Sequence, residues 1–176
     1  DELVANTLLL LNAGNETTTC LLSNGLLALI RNPEEMARLR HDPALIPNAV
    51  EELLRYDSPV QFIGRLAATD VDLGGETIRE GETVLLALGA AGLDPKIVDA
   101  PDELRLGRHP IRHVSFGSGH HICAGLQLAR MEGRIAFQTL LETFYDISLS
   151  ADKVAYGKNA NLRCPKTLQL SVTAAA

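Results

Sequence analysis

The stretch Phe116-Gly117-Ser118-Gly119-His120-His121-Ile122-Cys123-Ala124-Gly125 leads straight into an apolar-periodic segment, Leu126 to Thr143. A cysteine therefore stands where a glycine-rich loop turns into a helix. The start of a helix carries partial positive charge and unsatisfied N–H groups. Both favour thiolate over thiol. Glycines on either side let the backbone approach a flat or bulky partner. A thiolate held in this way is a nucleophile or a metal ligand. The bland alternative is an inert cysteine buried in a tight turn.

The flanking residues narrow the choice. A cysteine nucleophile wants a histidine base and a group to orient it. His120 and His121 are close in sequence, but neighbours in one loop rarely face the sulfur. A zinc site wants further thiolates or a spaced histidine pair. An axial haem thiolate needs one cysteine alone.

Upstream, residues 2 to 31 read as one long helix. Leu3, Leu8, Leu10 and Leu11, then Leu21, Leu22, Leu26, Leu29 and Ile30, are dense enough to predict burial on most sides. Its centre, Asn12 to Thr19, is polar and contains Gly14 and three threonines. That predicts a bend with something bound beside it. Asn32-Pro33-Glu34-Glu35 reads as an N-cap, a first-turn proline and first-turn acids, opening a helix that ends near Asp42-Pro43. Another helix runs from near Pro47 to about Tyr56. Short strands are expected at Phe62 to Ala67, Thr77-Ile78 and Thr83 to Leu88, with turns at Gly74-Gly75 and Glu80-Gly81-Glu82. Residues 94 to 114 read as a long loop, and Tyr145 to Val172 as irregular strands. The fold class is mainly α with small β-sheets.

Composition bounds the function. The chain has 176 residues, a net charge of −6, 46% hydrophobic residues and no Trp. This describes a globular protein and a poor general nucleic-acid binder. The longest leucine run, Leu8 to Leu11, is far short of the ~20 apolar residues of a membrane span. Cys20, Cys123 and Cys164 are odd in number and widely spaced, which argues against a disulfide framework and for a reducing, cytoplasmic setting. The chain opens on Asp1-Glu2 and runs directly into helical sequence, as expected of a fragment.

Phe116-Gly117-x-Gly119-x-x-x-Cys123-x-Gly125 resembles the haem-binding signature of the cytochrome P-450 family, the haem-thiolate monooxygenases. Glu52-Leu53-Leu54-Arg55 resembles that family's Glu-x-x-Arg helix motif. Ala13-Gly14-Asn15-Glu16-Thr17 resembles its oxygen-binding helix motif. The three occur in the family's order across the whole chain, and the soluble bacterial class is the nearest likeness. The resemblance implies one domain over 1–176, the C-terminal half of the P-450 fold with the N-terminal half absent, and an apolar surface left open where that half packs.

It also implies roles. Cys123 would be the metal ligand, the axial thiolate of haem b. Phe116 would pack beside the sulfur, and Gly117 and Gly125 would allow close approach to the haem. His121 and Arg65 would bind the propionates. Ala13 and Gly14 would leave room for dioxygen, and Glu16 and Thr17 would be the acid–alcohol pair that delivers protons. Glu52 and Arg55 would form a buried structural ion pair. Asn12, Ala13, Gln61, Phe62, Ile63, Asn161 and Leu162 would face a small organic substrate. Where the family has a cation before an aromatic in the long loop, this chain has Glu103-Leu104. A second acid there predicts a weakened network.

Between Arg105 and Arg134 lie five arginines (105, 108, 112, 130, 134) against one acid, Glu132. That basic stretch predicts a face for an acidic ferredoxin-type electron donor. The implied activity is insertion of one atom of O2 into the substrate, with electrons from NAD(P)H through redox partners. Two alternatives stand beside it: a haem-thiolate peroxygenase, and a truncated non-catalytic haem-binding remnant.

Overall fold

The computed structural model describes residues 1–151 and 153–175; Asp152, within the expected strand-like tail, and Ala176 lie outside the described residues. The long amino-terminal helix, α1 (Glu2–Arg31), is followed by α2 (Pro33–His41), a 3-10 turn at Pro43–Leu45, and α3 (Ile46–Tyr56). Then come β1 (Phe62–Leu66), β2 (Val71–Leu73), β3 (Glu76–Ile78), β4 (Thr83–Ala87) and a one-turn helix α4 (Leu88–Ala91). The long loop leads to α5 (Leu126–Thr143), and β5 (Phe144–Leu149) and β6 (Leu170–Ala174) close the fold. Three antiparallel two-stranded sheets result: β1 with β4, β2 with β3, and β5 with β6. Among the described residues no helix is long and apolar enough to cross a membrane.

The core lies where α1, α2, α3 and α5 meet the long loop. Leu29, Leu39, Val50, Leu53, Leu106 and Phe137 are essentially inaccessible to water. Each such side chain contributes on the order of 1.5–3 kcal/mol of burial. Close approach of α1 to α5 requires Gly25: a Cβ there would stand 2.6 Å from Cζ of Phe137. Contacts along the two helices keep step. Thr18 meets Glu132, Leu21 lies against Gly133, and Gly25 lies against Phe137. The indices rise together, so α1 and α5 run in the same direction.

The helix ends are satisfied across elements. Asn32 does not cap α2 with its side chain, as the Asn-Pro pattern predicts. Its Nδ2 donates backwards to the Ala28 carbonyl at 2.8 Å and closes α1 instead. Arg40 of α2 donates from Nη1 to the Leu141 and Phe144 carbonyls, both at 2.8 Å, at the carboxyl end of α5. A cation at that end meets the orphan carbonyls and the negative end of the helix dipole.

The polar centre of α1 carries the back-bonding on which the expected bend rests: Thr17 and Thr19 return their hydroxyl hydrogens to the carbonyls of Ala13 (2.6 Å) and Asn15 (3.0 Å), within one continuous helix. One expectation for α1 is corrected: it is not buried on most sides throughout. Burial begins at Cys20, while Leu3, Leu8, Leu9, Leu10 and Leu11 are 60–79% exposed, because this half of α1 projects beyond the core. Elsewhere, β2 and α4 have no counterpart among the expected elements. They are three and four residues long, too short for periodicity to register.

Gly25→Ala tests the α1–α5 contact. Alanine improves helix propensity by ~1 kcal/mol, but Phe137 is fully buried and has nowhere to retreat, and overpacking costs ~1–3 kcal/mol. A net fall in the urea midpoint is expected, relieved when Phe137→Leu is added.

Candidate haem-thiolate site

The cysteine loop is a knot of short backbone bonds. Gly117 N–H donates to the Val114 carbonyl at 2.7 Å, Ile122 N–H to Gly119 at 3.1 Å, and Cys123 N–H to Phe116 at 2.9 Å. Gly117 and Gly119 have φ of +71° and +73°, where a side chain would be strained. A single 3-10 turn, Gly119–His121, carries His121 into solvent. Cys123 is a free, exposed thiol just ahead of α5, whose N-cap is Gly125.

The parallel course of α1 and α5 sets the other wall. Glu16 and Thr17 stand two and one residues before the Thr18–Glu132 contact, and Ala13 and Gly14 about 6–8 Å before it at 1.5 Å per residue. They therefore occupy the same end of the helix pair as Cys123. The Ala13–Glu16 stretch and the Cys123–Gly125 stretch are both exposed. A Cβ built on Gly14 or on Gly125 meets nothing within 4 Å. Asn12 and Glu16 line a groove of about 670 Å3 with Leu8, Leu11, Asn15 and Thr19.

The expected substrate residues come together in part. Val60 bridges Leu162, the Gln61 N–H donates to the Asn161 carbonyl at 2.8 Å, and β1 continues into exposed Phe62 and half-buried Ile63. Arg163 anchors this junction. Its Nε donates to Asp57 Oδ1 at 2.7 Å and its carbonyl accepts from Asn24 Nδ2 at 2.8 Å. Gln61 is a correction. Its side chain donates to the Ser58 carbonyl at 2.6 Å and covers Gly89, so it does not project outward. Arg65 is exposed on β1, and among the described residues it makes no ion pair; its Nη1 donates to the Gly64 carbonyl.

Glu52 and Arg55 form the expected pair, with both side chains at 0% exposure. Arg55 Nε and Nη2 meet the two carboxylate oxygens at 2.8 Å each. Arg55 then binds the carbonyls of Gly92 (2.9 Å), Pro101 (2.7 Å) and Glu103 (3.1 Å). The predicted weakening by Glu103 does not occur. Its carboxylate turns outward to Arg105 at 2.7 Å, and only its carbonyl serves the network. The third charge is Arg108, whose Nε lies 3.1 and 3.2 Å from the Glu52 oxygens. Arg105 N–H also donates to Glu52 at 3.1 Å, and Leu106 N–H donates to Glu35 of α2 at 2.6 Å. Sequence reasoning missed Arg108 and Glu35; an arginine in a loop shows only as charge until its partner is known.

Three of the five arginines expected on a free basic face are therefore engaged internally. Arg105 pairs with Asp99 and Glu103, Arg108 with Glu52, and Arg130 with Glu51. Among the described residues, Arg112 and Arg134 are the exposed arginines of that stretch without an ion pair.

The cytochrome P450 family profile matches residues 1–171. The chain belongs to the cytochrome P450 family. It is 48% identical over 150 residues to the biotin biosynthesis cytochrome P450 of Bacillus subtilis, covering 85% of this chain and 38% of that protein. It is 42% identical over 175 residues to the polyketide biosynthesis cytochrome P450 PksS of the same organism, covering 98% and 43%. Its fold superimposes on the crystal structure of P450BioI in complex with acyl carrier protein carrying hexadec-9Z-enoic acid. The TM-score is 0.89 at 45% identity, covering 92% of this chain and 42% of that one. The chain thus spans about two fifths of the length of the curated P450 relatives it matches, and its architecture is a partial P450 fold.

The family implies a haem-thiolate cofactor, and the residues fit one. The donor set is a single exposed thiol, and no group of three or more His, Cys, Asp or Glu able to hold a metal occurs among the described residues. One thiolate suffices for iron that brings four equatorial nitrogens of its own. The open space at Gly14 and Gly125 suits a flat macrocycle between the two helices.

Two outcomes follow for the charge networks. Breaking one partner of a fully buried pair costs ~3–5 kcal/mol, so Arg55→Met should lower unfolding free energy by that amount, and Glu103→Gln by little. Burial opposes ionisation of Glu51, but His113 and Arg130 outweigh it and hold its carboxyl at about 2, below the ordinary 4.5. Its stabilising contribution is complete above about pH 4.5 and lost as pH falls towards 2. Glu51→Gln should therefore flatten the acid limb of the stability–pH profile in that window; an unaltered limb would contradict the pairing.

Proposed function

We propose that this chain forms the thiolate-bearing part of a monooxygenase that inserts one atom of O2 into an organic substrate, with electrons from NAD(P)H relayed by redox proteins. The observation that carries the reading is the lone exposed Cys123 at the same end of the parallel helix pair as Ala13–Thr17. Bound through a thiolate, haem b supplies the redox centre at which dioxygen is reduced.

The chain's own residues then have distinct tasks. Cys123 ligates, and its N–H bond to Phe116 orients the sulfur. Arg65 and His121, both exposed, neutralise the propionates. Gly117 and Gly125 keep the loop thin, while Ala13 and Gly14 leave space above the ring. The Thr17 hydroxyl directs its hydrogen to the Ala13 carbonyl, leaving its oxygen to accept a hydrogen bond, while the exposed Glu16 carboxyl passes protons in from water. Asn12, Phe62, Ile63, Asn161 and Leu162 contact the substrate, whose apolar part faces the three hydrophobic members of this set. Arg112 and Arg134 offer the positive charge for an acidic ferredoxin-type donor.

The test is the carbon monoxide difference spectrum of the reduced, haem-loaded protein expressed from its complete reading frame. A long-wavelength Soret band characteristic of thiolate ligation is expected, and it should vanish in Cys123→Ser. A band at the shorter wavelength of histidine-ligated haem, unchanged by that substitution, would overturn the reading.

A further inference from the structure

Next to the cysteine loop lies a second charge network that the roles above leave unassigned. Glu51 of α3 accepts from Arg130 of α5 through both oxygens, Oε1 from Nε at 2.7 Å and Oε2 from Nη2 at 2.8 Å. The same Glu51 Oε2 lies 3.1 Å from Nε2 of His113. His113 Nδ1 accepts the Ser115 N–H at 3.2 Å, and the Ser115 hydroxyl donates to the Leu54 carbonyl at 2.8 Å. Residues 113 and 115 are thereby tied to α3 immediately before the loop begins.

Clamped in this way, the Arg130 guanidinium lies 4.8 Å from the centroid of the Phe116 ring. That distance is well inside the range of a cation–π contact. The carbonyl of the same Phe116 accepts the Cys123 N–H at 2.9 Å. The contacts thus form a closed circuit: α3 holds Arg130, Arg130 covers Phe116, Phe116 holds Cys123, and Cys123 leads back into the helix that carries Arg130. The charge on Arg130 is stabilised first by its bonds to Glu51, against partial burial, and also by Cys123, so the sulfur is within its electrostatic reach.

From this geometry we propose that Arg130 is a positioning residue for the thiolate. It holds the Phe116 ring against the loop and supplies a fixed positive charge that stabilises the one-electron-reduced, more negative state of the site, with Glu51 setting its orientation. The proposal rests on Cys123 being the haem ligand. It also gives Arg130 an inward task in place of the surface docking that its charge alone predicts. The two members of the clamp have opposite signs, and this separates electrostatics from simple support. Loss of Arg130 removes a positive charge beside the loop and leaves Glu51 with His113 alone; loss of Glu51 leaves Arg130 uncompensated. Damage to packing would have no such reversal of sign.

The experiment is a spectroelectrochemical titration of the ferric–ferrous couple in the haem-loaded protein from the complete reading frame. Wild type, Arg130→Gln, Arg130→Lys, Glu51→Gln and Arg79→Gln are compared, with the carbon monoxide spectrum recorded for each. Arg130→Gln is expected to lower the potential by about 59 mV, a tenfold shift in a one-electron equilibrium, as for a unit charge partly shielded from water. Glu51→Gln is expected to raise it. Arg130→Lys keeps the charge and should stay within twofold of wild type, as should Arg79→Gln, exposed beyond β3. Shifts of the same sign for Arg130→Gln and Glu51→Gln, or less than twofold for both, overturn the proposal while the thiolate band persists. Should Arg130→Gln not take up haem, the rise in Glu51→Gln and the retained potential in Arg130→Lys decide the matter. Absence of the thiolate band from the wild type would instead remove the ligand assignment on which the proposal rests.

Discussion

One fully buried guanidinium organises this chain. Arg55 presents a fork of donors in fixed geometry and satisfies them without water: two on Glu52 and three on the carbonyls of residues 92, 101 and 103. A charge taken out of water is tolerable only when every donor has a partner and a counter-charge is in contact. That demand fixes the path of the long loop. The loop has little regular structure from residue 92 to 118, yet its carbonyls must converge on one side chain of α3. Arg108 reaches back to Glu52 from the far side, and Asn48 of α3 holds the Leu106 and Arg108 carbonyls. The cysteine loop follows directly, so its position is inherited from the buried pair.

Much of this was legible in the sequence, for identifiable reasons. Long helices announce themselves by periodicity, and the limits of α2, α3 and α5 agree with the pattern to within a residue or two. The glycine turns announce themselves by chemistry. The Glu-x-x-Arg spacing puts acid and base on one helical face, one turn apart. Partners distant in sequence were not legible. Nothing in the letters distinguishes Arg108, whose side chain is 9% exposed against Glu52, from Arg112 in the same loop. Nothing marks the Glu103 carboxylate as turned outward while its carbonyl is in use. Glu51 and Glu52 are adjacent acids, yet the helical turn sends one to Arg130 and the other to Arg55. Charge counts treat such residues alike, whereas the fold assigns each a separate partner.

The exposed half of α1 departs from expectation for a related reason. Apolar density gives the amount of surface that requires cover, but not which part of a chain covers it. Leu3 to Leu11 extend past the core formed by α2, α3 and α5. The relatives are more than twice as long as this chain, and Ala13 to Glu16 lie exposed on the same helix. One end of α1 is thus part of the core, and the other lies outside it.

The three cysteines differ in a way that has practical value. Cys20 is sealed in the core, and burial pushes its thiol up and out of reach of electrophiles. Cys164 is half-buried beside the Ser23 hydroxyl, 3.8 Å away. Cys123 alone faces solvent. The protein thus carries an internal titrator with three grades of access. A thiol-reactive dye reports first on the loop, then on the docking of the tail against α1, and last on global opening. A ligand that occupies the sulfur silences only the fastest of these phases, so occupancy of the site can be counted by mass, one adduct at a time, without recourse to colour.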